Sequence, residues 1–235
     1  MLMTHLYYKE KGKGKPLILL HGNGEDSSYF ESQMDYFSQT RRVIAVDTRG
    51  HGRSPRGTAP RGTAPFTIRQ FAEDLREFME EMGIERADLL GFSDGGNIAL
   101  IFALRYPERV DRLILNGANL WSRGVKPSVQ IPIILGYYAA YFFGHFSGKA
   151  RANAELLRLM VKDPNIEQEE LRNIQSPTLV IAGERDMIRE EHTRLIAAEI
   201  PGAKLRIIPG DHFIAAGNPE AFNREVDRFL RETVS

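Results

Sequence analysis

The 235-residue sequence contains no cysteine, and this absence excludes several kinds of chemistry. Disulfides, thiol nucleophiles and cysteine-ligated metal sites are all ruled out. The N-terminus also lacks a basic segment followed by an apolar one, so we expect no signal peptide. Both features are compatible with a reducing compartment, and the predicted location is the cytoplasm.

An excess of one charge is also missing, because 31 basic residues balance 31 acidic residues. A nucleic-acid-binding protein would carry a basic excess, so no nucleic-acid partner is expected. No histidine pair combines with a carboxylate at the spacing of metal ligands, so we expect neither a metal nor a cofactor. The composition gives no prediction of oligomeric state.

What the chain does have is a regular alternation of apolar strand-like runs with amphipathic helical patterns. Runs 17–20 and 43–46 are apolar throughout and 110–115 is apolar at four of its six positions, which is typical of strands buried on both faces. This pattern predicts an α/β fold with a mostly parallel central sheet flanked by helices. The predicted core comprises residues 1–118 and 176–235.

The alternation stops over residues 119–175, which we predict to form a helical cap inserted into the core. Its run from Val129 to Phe146 is uncharged but is interrupted by Pro132, Gly136 and Gly144. A membrane span needs ~20 clean apolar residues, so stable membrane insertion is not expected. We predict one or two aromatic helices that pack on the core and line an apolar pocket. Attachment to a membrane surface is the lesser alternative.

A strand that turns abruptly into a helix is predicted at Gly91-x-Ser93-x-Gly95, with a second glycine at position 96. Glycines let the two backbones approach closely and leave Ser93 exposed at the tip of the turn. This geometry is typical of a nucleophile. The alternative is an ordinary strand–loop–helix turn that happens to contain serine.

A serine nucleophile needs a base, and His212 follows the last predicted strand. Asp186 follows the preceding strand and would orient the imidazole. Because the carboxyl ends of parallel strands share one sheet edge, we expect Ser93, Asp186 and His212 to meet there. Glu184 and Asp211 are rival acids. The backbone N–H groups of Asn23 and Asp94 are the predicted oxyanion hole.

In combination these motifs resemble the α/β-hydrolase superfamily. The resemblance covers nearly the whole chain and includes His21-Gly22, Asp47-x-Arg49-Gly50-x-Gly52-x-Ser54, Gly91-Phe92-Ser93-Asp94-Gly95-Gly96, Gly183-x-x-Asp186 and Gly210-x-His212. It implies acyl transfer to water through an acyl-enzyme intermediate, with branches that include serine esterases, valacyclovir hydrolases and prolyl aminopeptidases. The family's usual first strand is missing from the pattern, and the cap follows the family's sixth strand.

The resemblance leaves the substrate open. We expect hydrolysis of small carboxylic esters, with a pocket lined by Asp94, Trp121, Tyr137 and Tyr141. Asp94 follows the nucleophile, as in the valacyclovir hydrolases, where the aspartate recognises an α-amino group. An aminopeptidase or amino-acid ester hydrolase is therefore the alternative, unless Asp94 merely stabilises the helix start. A ligand receptor on the same fold is a third possibility.

One internal repeat is present, because the pentapeptide Arg-Gly-Thr-Ala-Pro occurs at 56–60 and again at 61–65. We interpret it as a neutral duplication within a loop, since exposed loops tolerate added length. The alternative is an altered loop near the mouth of the site. For Asp47, Arg49 and Arg53 we predict a loop network that holds the end of a strand.

Overall fold

The computed structural model of the protein describes residues 5–56 and 66–232. Within these ranges the strands are β1 (Tyr8–Lys11), β2 (Pro16–Leu20), β3 (Arg42–Val46), β4 (Ala87–Phe92), β5 (Val110–Asn116), β6 (Thr178–Gly183) and β7 (Lys204–Ile208). The α-helices of the same ranges are α1 (Glu31–Phe37), α2 (Ile68–Glu81), α3 (Asp94–Arg105), α4 (Pro127–Phe143), α5 (Gly148–Lys162), α6 (Glu190–Glu199), α7 (Ile214–Gly217) and α8 (Pro219–Arg231).

The seven strands form one sheet in the order β1-β3-β2-β4-β5-β6-β7. All neighbouring pairs are parallel except β1 and β3, which are antiparallel at the edge. The central strand β4 is buried along its whole length. Such continuous burial requires helices on both faces of the sheet, which is why the central strands are mostly apolar. The predicted mostly parallel α/β fold is confirmed.

Two apolar cores lie on opposite faces of this sheet. One contains side chains of α2, α3 and α6, and the other contains side chains of α1 and α8. Side chains alternate between the faces along each strand, so Leu89 joins the first core and its neighbour Leu90 joins the second. With both faces packed, polar chemistry is left to the loops at the strand ends.

Helices α4 and α5 form the cap between β5 and β6. They pack against each other, and Gln130 Nε2 of α4 donates to the main-chain oxygen of Met160 in α5 at 3.1 Å. Pro132 lies inside α4 on its exposed side. In the part of the chain that the structure describes, no helix is both long enough and apolar enough to cross a membrane.

The repeated pentapeptide lies outside the described residues, apart from Arg56 at its start. The guanidinium of Arg56 forms an ion pair with Glu155 of α5. Arg56, where the described part of this loop ends, therefore lies beside the cap.

Candidate active site

The turn from β4 into α3 places Ser93 in a conformation that few non-glycine residues adopt. Its φ is 53° and its ψ is −119°, a strained region that is typical of functional sites. The backbone of Ser93 is held on both sides, because its N–H donates to Asn116 O at 2.8 Å and its carbonyl accepts from Asn97 N at 3.0 Å. The strain is thus stabilised by the flanking strand and helix.

Glycine is required at position 95 because a neighbouring strand comes very close. A Cβ atom at Gly95 would lie 1.9 Å from the main-chain oxygen of Leu20, the last residue of β2. A backbone atom cannot move aside as a flexible side chain could. The close approach of β2 brings the loop after it, which contains Asn23, beside the serine.

Ser93, His212 and Asp186 are linked by two hydrogen bonds. His212 Nε2 lies 3.0 Å from Ser93 Oγ, and His212 Nδ1 lies 2.7 Å from Asp186 Oδ1. The acid fixes the tautomer, because a carboxylate can only accept and Nδ1 must therefore carry the proton. Nε2 is left as the acceptor that faces the serine hydroxyl. The structure therefore brings together the three residues that the sequence analysis predicted as catalytic.

The choice among the three candidate acids follows from burial and from their partners. Asp186 is buried, and its Oδ1 also accepts from Ile188 N at 2.8 Å. Glu184 and Asp211 are both exposed. The carboxylate of Asp211 accepts from the backbone N–H of Phe213 at 2.9 Å, so it is directed away from the His212 ring.

Aromatic rings enclose the imidazole. The His212 ring packs against Phe92 and Phe213, with centroid separations of 4.8 and 5.5 Å, and only 4% of the residue is exposed. Phe92 in turn stacks on Tyr29 at 4.5 Å. This packing excludes water from the ring and restricts its rotation, which leaves the imidazole oriented toward Ser93.

The oxyanion hole predicted from the sequence consists of two backbone amides. They belong to Asn23, in the loop after β2, and to Asp94, the first residue of α3. Over the described ranges neither amide donates to a protein acceptor. The positive end of the α3 dipole also lies at Asp94, which favours negative charge at this point.

The side chain of Asn23 joins three parts of the molecule. Its Nδ2 donates to Asp94 Oδ2 at 2.9 Å and to the main-chain oxygen of Leu156 in α5 at 2.9 Å. A loop of the core, the nucleophile turn and the cap therefore meet at one amide group. Because Asn23 also provides a predicted oxyanion donor, the position of the cap is physically coupled to that donor.

The Asp94 carboxylate faces asparagine amides. Its second oxygen, Oδ1, accepts from Asn97 Nδ2 at 3.4 Å, and only 8% of the residue is exposed. Burial raises the pKa of Asp94 to about 6, opposed by the hydrogen bond from Asn23 and assisted by the negative charge of Asp163. Asp94 is also the acidic residue of the first turn of α3, so its role in stabilising the helix start remains the alternative to amine recognition.

Sequence reasoning missed three residues that shape the site. Glu25 accepts from Gly22 N at 3.1 Å and holds the loop that carries Asn23, while burial raises the pKa of its carboxyl. Asn97 Nδ2 donates to Asn119 Oδ1 at 3.1 Å, and Asn119 N donates back to Asn97 Oδ1 at 2.8 Å. For Asn97 the sequence did contain a signal, because Asn97 follows Ser93 by one turn of the predicted helix and therefore lies on the same side of it.

The predicted loop network around Asp47 is present, but the Arg49 side chain binds a helix instead of this loop. Asp47 accepts from Ser27 N at 2.7 Å and from Arg53 N at 2.8 Å, so it ties two loops together. Arg49 instead pairs with Asp74 of α2, with Nε 2.7 Å from Oδ2. These contacts fix the ends of β2 and β3 rather than contribute to the reaction.

The four residues predicted to line the substrate pocket do not surround one cavity. Tyr137 and Tyr141 line a cavity of about 440 Å³ between the cap helices, together with Gly144, His145, Arg151, Ala154, Glu155 and Arg158. Trp121 packs against His192 at 4.9 Å, beside a different groove. Asp94 accepts hydrogen bonds from Asn23 and Asn97 and lines neither the cavity nor the groove. Packing of the cap separates these side chains, which sequence spacing cannot reveal.

No group of three metal-ligating side chains occurs in the described part of the chain. At the sheet edge the structure brings together a serine, a histidine and an aspartate. A parallel sheet with a serine on a strand-to-helix turn defines the class of α/β-fold hydrolases.

Comparisons with known proteins agree with that class. A family model described as "alpha/beta hydrolase fold" matches residues 15–161. The chain belongs to the α/β hydrolase fold family and is a hydrolase. It is 30% identical to a protein of Caulobacter sp. (strain K31) named "Putative carbamate hydrolase RutD", over 91% of this chain and 90% of the relative.

Two further relatives extend the likeness. "Serine hydrolase BPHL" of Mus musculus is 27% identical, with 97% of this chain and 84% of that protein covered. The crystal structure of an enol-lactonase from Burkholderia xenovorans LB400 superposes with a TM-score of 0.80. That superposition covers 97% of each chain at 24% identity, and it shows the common fold.

Proposed function

We propose that the protein is a serine hydrolase that cleaves small carboxylic esters through an acyl-enzyme intermediate. One observation carries the proposal: Ser93, His212 and Asp186 form a continuous hydrogen-bonded chain, with distances of 3.0 and 2.7 Å. The N–H groups of Asn23 and Asp94, the predicted oxyanion donors, have no protein acceptor within the described ranges, which also supports the proposal. These are the parts that acyl transfer to water requires.

In the acylation step, His212 Nε2 removes the proton of Ser93 Oγ as that oxygen attacks the ester carbonyl carbon. The carbonyl oxygen becomes an anion, which the N–H groups of Asn23 and Asp94 stabilise. His212 then donates its proton to the leaving alkoxide, and the alcohol departs. The Asp186 carboxylate stabilises the imidazolium formed between these steps.

Deacylation repeats the sequence with water as the nucleophile. His212 Nε2 takes a proton from water, the hydroxide attacks the acyl carbon, and Ser93 Oγ leaves with the proton from His212. The carboxylic acid product is released. The enclosed position of His212, packed against Phe92, keeps the base oriented toward Ser93 through both half-reactions.

We favour simple esters over aminoacyl substrates because the Asp94 carboxylate is already occupied by other groups of the protein. Its carboxylate is almost fully buried and already accepts hydrogen bonds from Asn23 and Asn97. A substrate ammonium group would have to displace these amides from a buried site. An amine-recognising role for Asp94 is thus the less favoured alternative.

The experiment is a pre-steady-state burst measurement with p-nitrophenyl acetate. We expect one equivalent of p-nitrophenol per protein in the burst, which Ser93→Ala abolishes. Ser32→Ala is the matched control, because Ser32 is an exposed serine of α1. Turnover of an aminoacyl ester and of an aryl carbamate alongside the acetate would rank the substrate classes. A protein that binds these compounds but turns over none of them would contradict the proposal and favour a ligand receptor.

A further inference from the structure

The cap carries an apolar surface that the proposed reaction does not use. Seven of its large apolar side chains are more than half exposed, from 54% for Tyr138 to 82% for Phe146. One of them, Tyr141, lines the cavity between the cap helices, and the other six form a separate set. We call this set the cap face: Ile131, Leu135, Tyr138, Phe142, Phe143 and Phe146. Its exposed area is on the order of 700 Å², since each aromatic side chain can bury about 150–250 Å². The largest patch on a typical monomer is about 300–600 Å².

The cap face is a stripe along one side of α4 that continues into the turn after it. Five of its members recur at intervals of four, three, four and four residues, which is the period of a helix face. The opposite side of α4 contains the buried residues Gln130 and Ala140 and packs against α5. The stripe therefore points away from the rest of the described protein.

Charge around the C-terminal half of the cap face has one sign. The segment 122–154 contains no aspartate or glutamate. The exposed residues His145, Lys149 and Arg151 follow directly after the aromatic residues of α4. The next acid along the chain, Glu155, is already paired with Arg56.

The N-terminal end of α4 differs in this respect. There Lys126 shares a groove with the acidic residues Glu184, Glu190 and Glu191. The one-sided charge thus belongs to the half of the cap face from Leu135 to Phe146.

We propose that the C-terminal half of the cap face docks on an anionic lipid surface, with α4 lying in the plane of the interface. Aromatic side chains at this depth would enter the boundary between headgroups and acyl chains. The basic residues beside them would meet anionic headgroups. A second copy of the chain fits less well, because a two-fold contact centred on Phe142 would bring Lys149 and Arg151 of one copy toward the same residues of the other.

The test is co-sedimentation of the full chain with vesicles of phosphatidylcholine alone and with one third phosphatidylglycerol. At low salt the chain should bind the anionic vesicles, and added salt should weaken binding. The pair Phe142→Ser and Phe146→Ser should lower the partition coefficient at least about tenfold. Lys149→Glu should lower binding to the anionic vesicles several-fold and leave binding to neutral vesicles unchanged.

Matched controls lie on the core, far from the cap in sequence. Tyr36→Ser removes an exposed aromatic residue of α1, and Lys13→Glu reverses an exposed charge near β2. Both should bind vesicles as the unmodified chain does. Thermal unfolding monitored by circular dichroism checks that every variant is folded, independently of any catalytic activity.

Three results would overturn the proposal. One is failure of the unmodified chain to bind anionic vesicles at low salt. Another is binding that the Phe142→Ser and Phe146→Ser pair leaves intact. The third is a lipid-free dimer in analytical ultracentrifugation that this pair dissociates, together with no vesicle binding, because a second copy would then cover the cap face.

Discussion

The carboxyl edge of the sheet and the cap differ in which kinds of side chain they bury and which they expose. At the sheet edge, polar side chains are buried and held by specific partners, as Asp186 is held by His212 and Ile188. On the cap, large apolar side chains are exposed, as Phe142 and Phe146 are. The difference indicates that the core positions the reacting groups, whereas the cap presents surface to other molecules.

Several polar contacts join the two regions in the described part of the chain. Asn23 Nδ2 donates to Leu156 O in α5, and Lys126 Nζ, just before α4, donates to Asp186 O at 2.5 Å. Lys126 N also donates to Met187 O at 2.8 Å. Through these contacts the cap is attached beside both the predicted oxyanion donor and the predicted acid of the triad.

The largest expected effect comes from breaking the polar chain of the core. Asp186→Asn retains the shape of the acid but offers an amide to His212, which favours the wrong imidazole tautomer. We expect kcat for p-nitrophenyl acetate to fall on the order of 10⁴-fold, as loss of the tautomer-fixing acid does in serine proteases. Asp211→Asn, which changes the exposed rival acid, should retain activity. A comparable loss in that variant would assign the orienting role to Asp211.

The second prediction concerns acid sensitivity, which should arise in the core. Burial lowers the pKa of His21 to about 4, and its Nε2 accepts from Thr48 N at 3.0 Å, which a protonated ring could not do. The resulting stability is fully present above pH ~6.5 and is lost as the pH falls toward 4. His192, whose pKa burial also lowers to about 4, acts in the same direction.

Asp94 acts in the opposite direction over part of this range. Its raised pKa means that the folded state gains stability as the pH falls through about 6. Burial also lowers the pKa of His51 and raises the pKa of Glu25 and of Asp163. Because the shifts of His21 and His192 are the large ones on the histidine side, we expect the free energy of unfolding to decrease between pH 7 and pH 4.5. In His21→Gln the decrease should be smaller by roughly 2–3 kcal/mol, measured by urea denaturation at both pH values. His145→Gln, an exposed cap histidine, should show the unmodified decrease, and equal decreases in all three proteins would exclude His21 as the cause.

The smallest predicted effect lies at the junction of the two regions. Asn23→Ala retains the backbone N–H but removes the amide that links Asp94 to the cap. We expect kcat to fall about tenfold, because the oxyanion donor loses its fixed position while the triad is intact. Asn153→Ala, an exposed asparagine of α5, is the control. Unchanged kcat in Asn23→Ala would show that the cap and the oxyanion donor are independent.

The grouping of residues at the sheet edge could be predicted from the sequence because it depends on the direction of the strands and not on side-chain packing. Parallel strands place their carboxyl ends together, so Ser93, Asp186 and His212 could be grouped without knowledge of packing. The cap could not be treated in this way. The contact of Asn23 with Leu156 joins residues 133 positions apart and uses a main-chain oxygen, which leaves no signature in the sequence.

The environment of Asp94 was also beyond sequence reasoning. Its position after the nucleophile suggested contact with substrate, but its direction is set by Asn23 and Asn97, from two different elements. Trp121 is among the residues predicted to line the pocket, yet it packs against His192. Residue type predicted what these side chains could do, whereas tertiary packing decided which partners they met.

The central claim is that Ser93 is a nucleophile activated by His212. It is tested most directly by covalent labelling with a fluorophosphonate, followed by mass spectrometry of the digested protein. We predict that one label is incorporated on the peptide that contains Ser93, and that His212→Ala slows the labelling by at least about a thousandfold. Labelling of a different serine, or an unchanged rate in His212→Ala, would contradict the account.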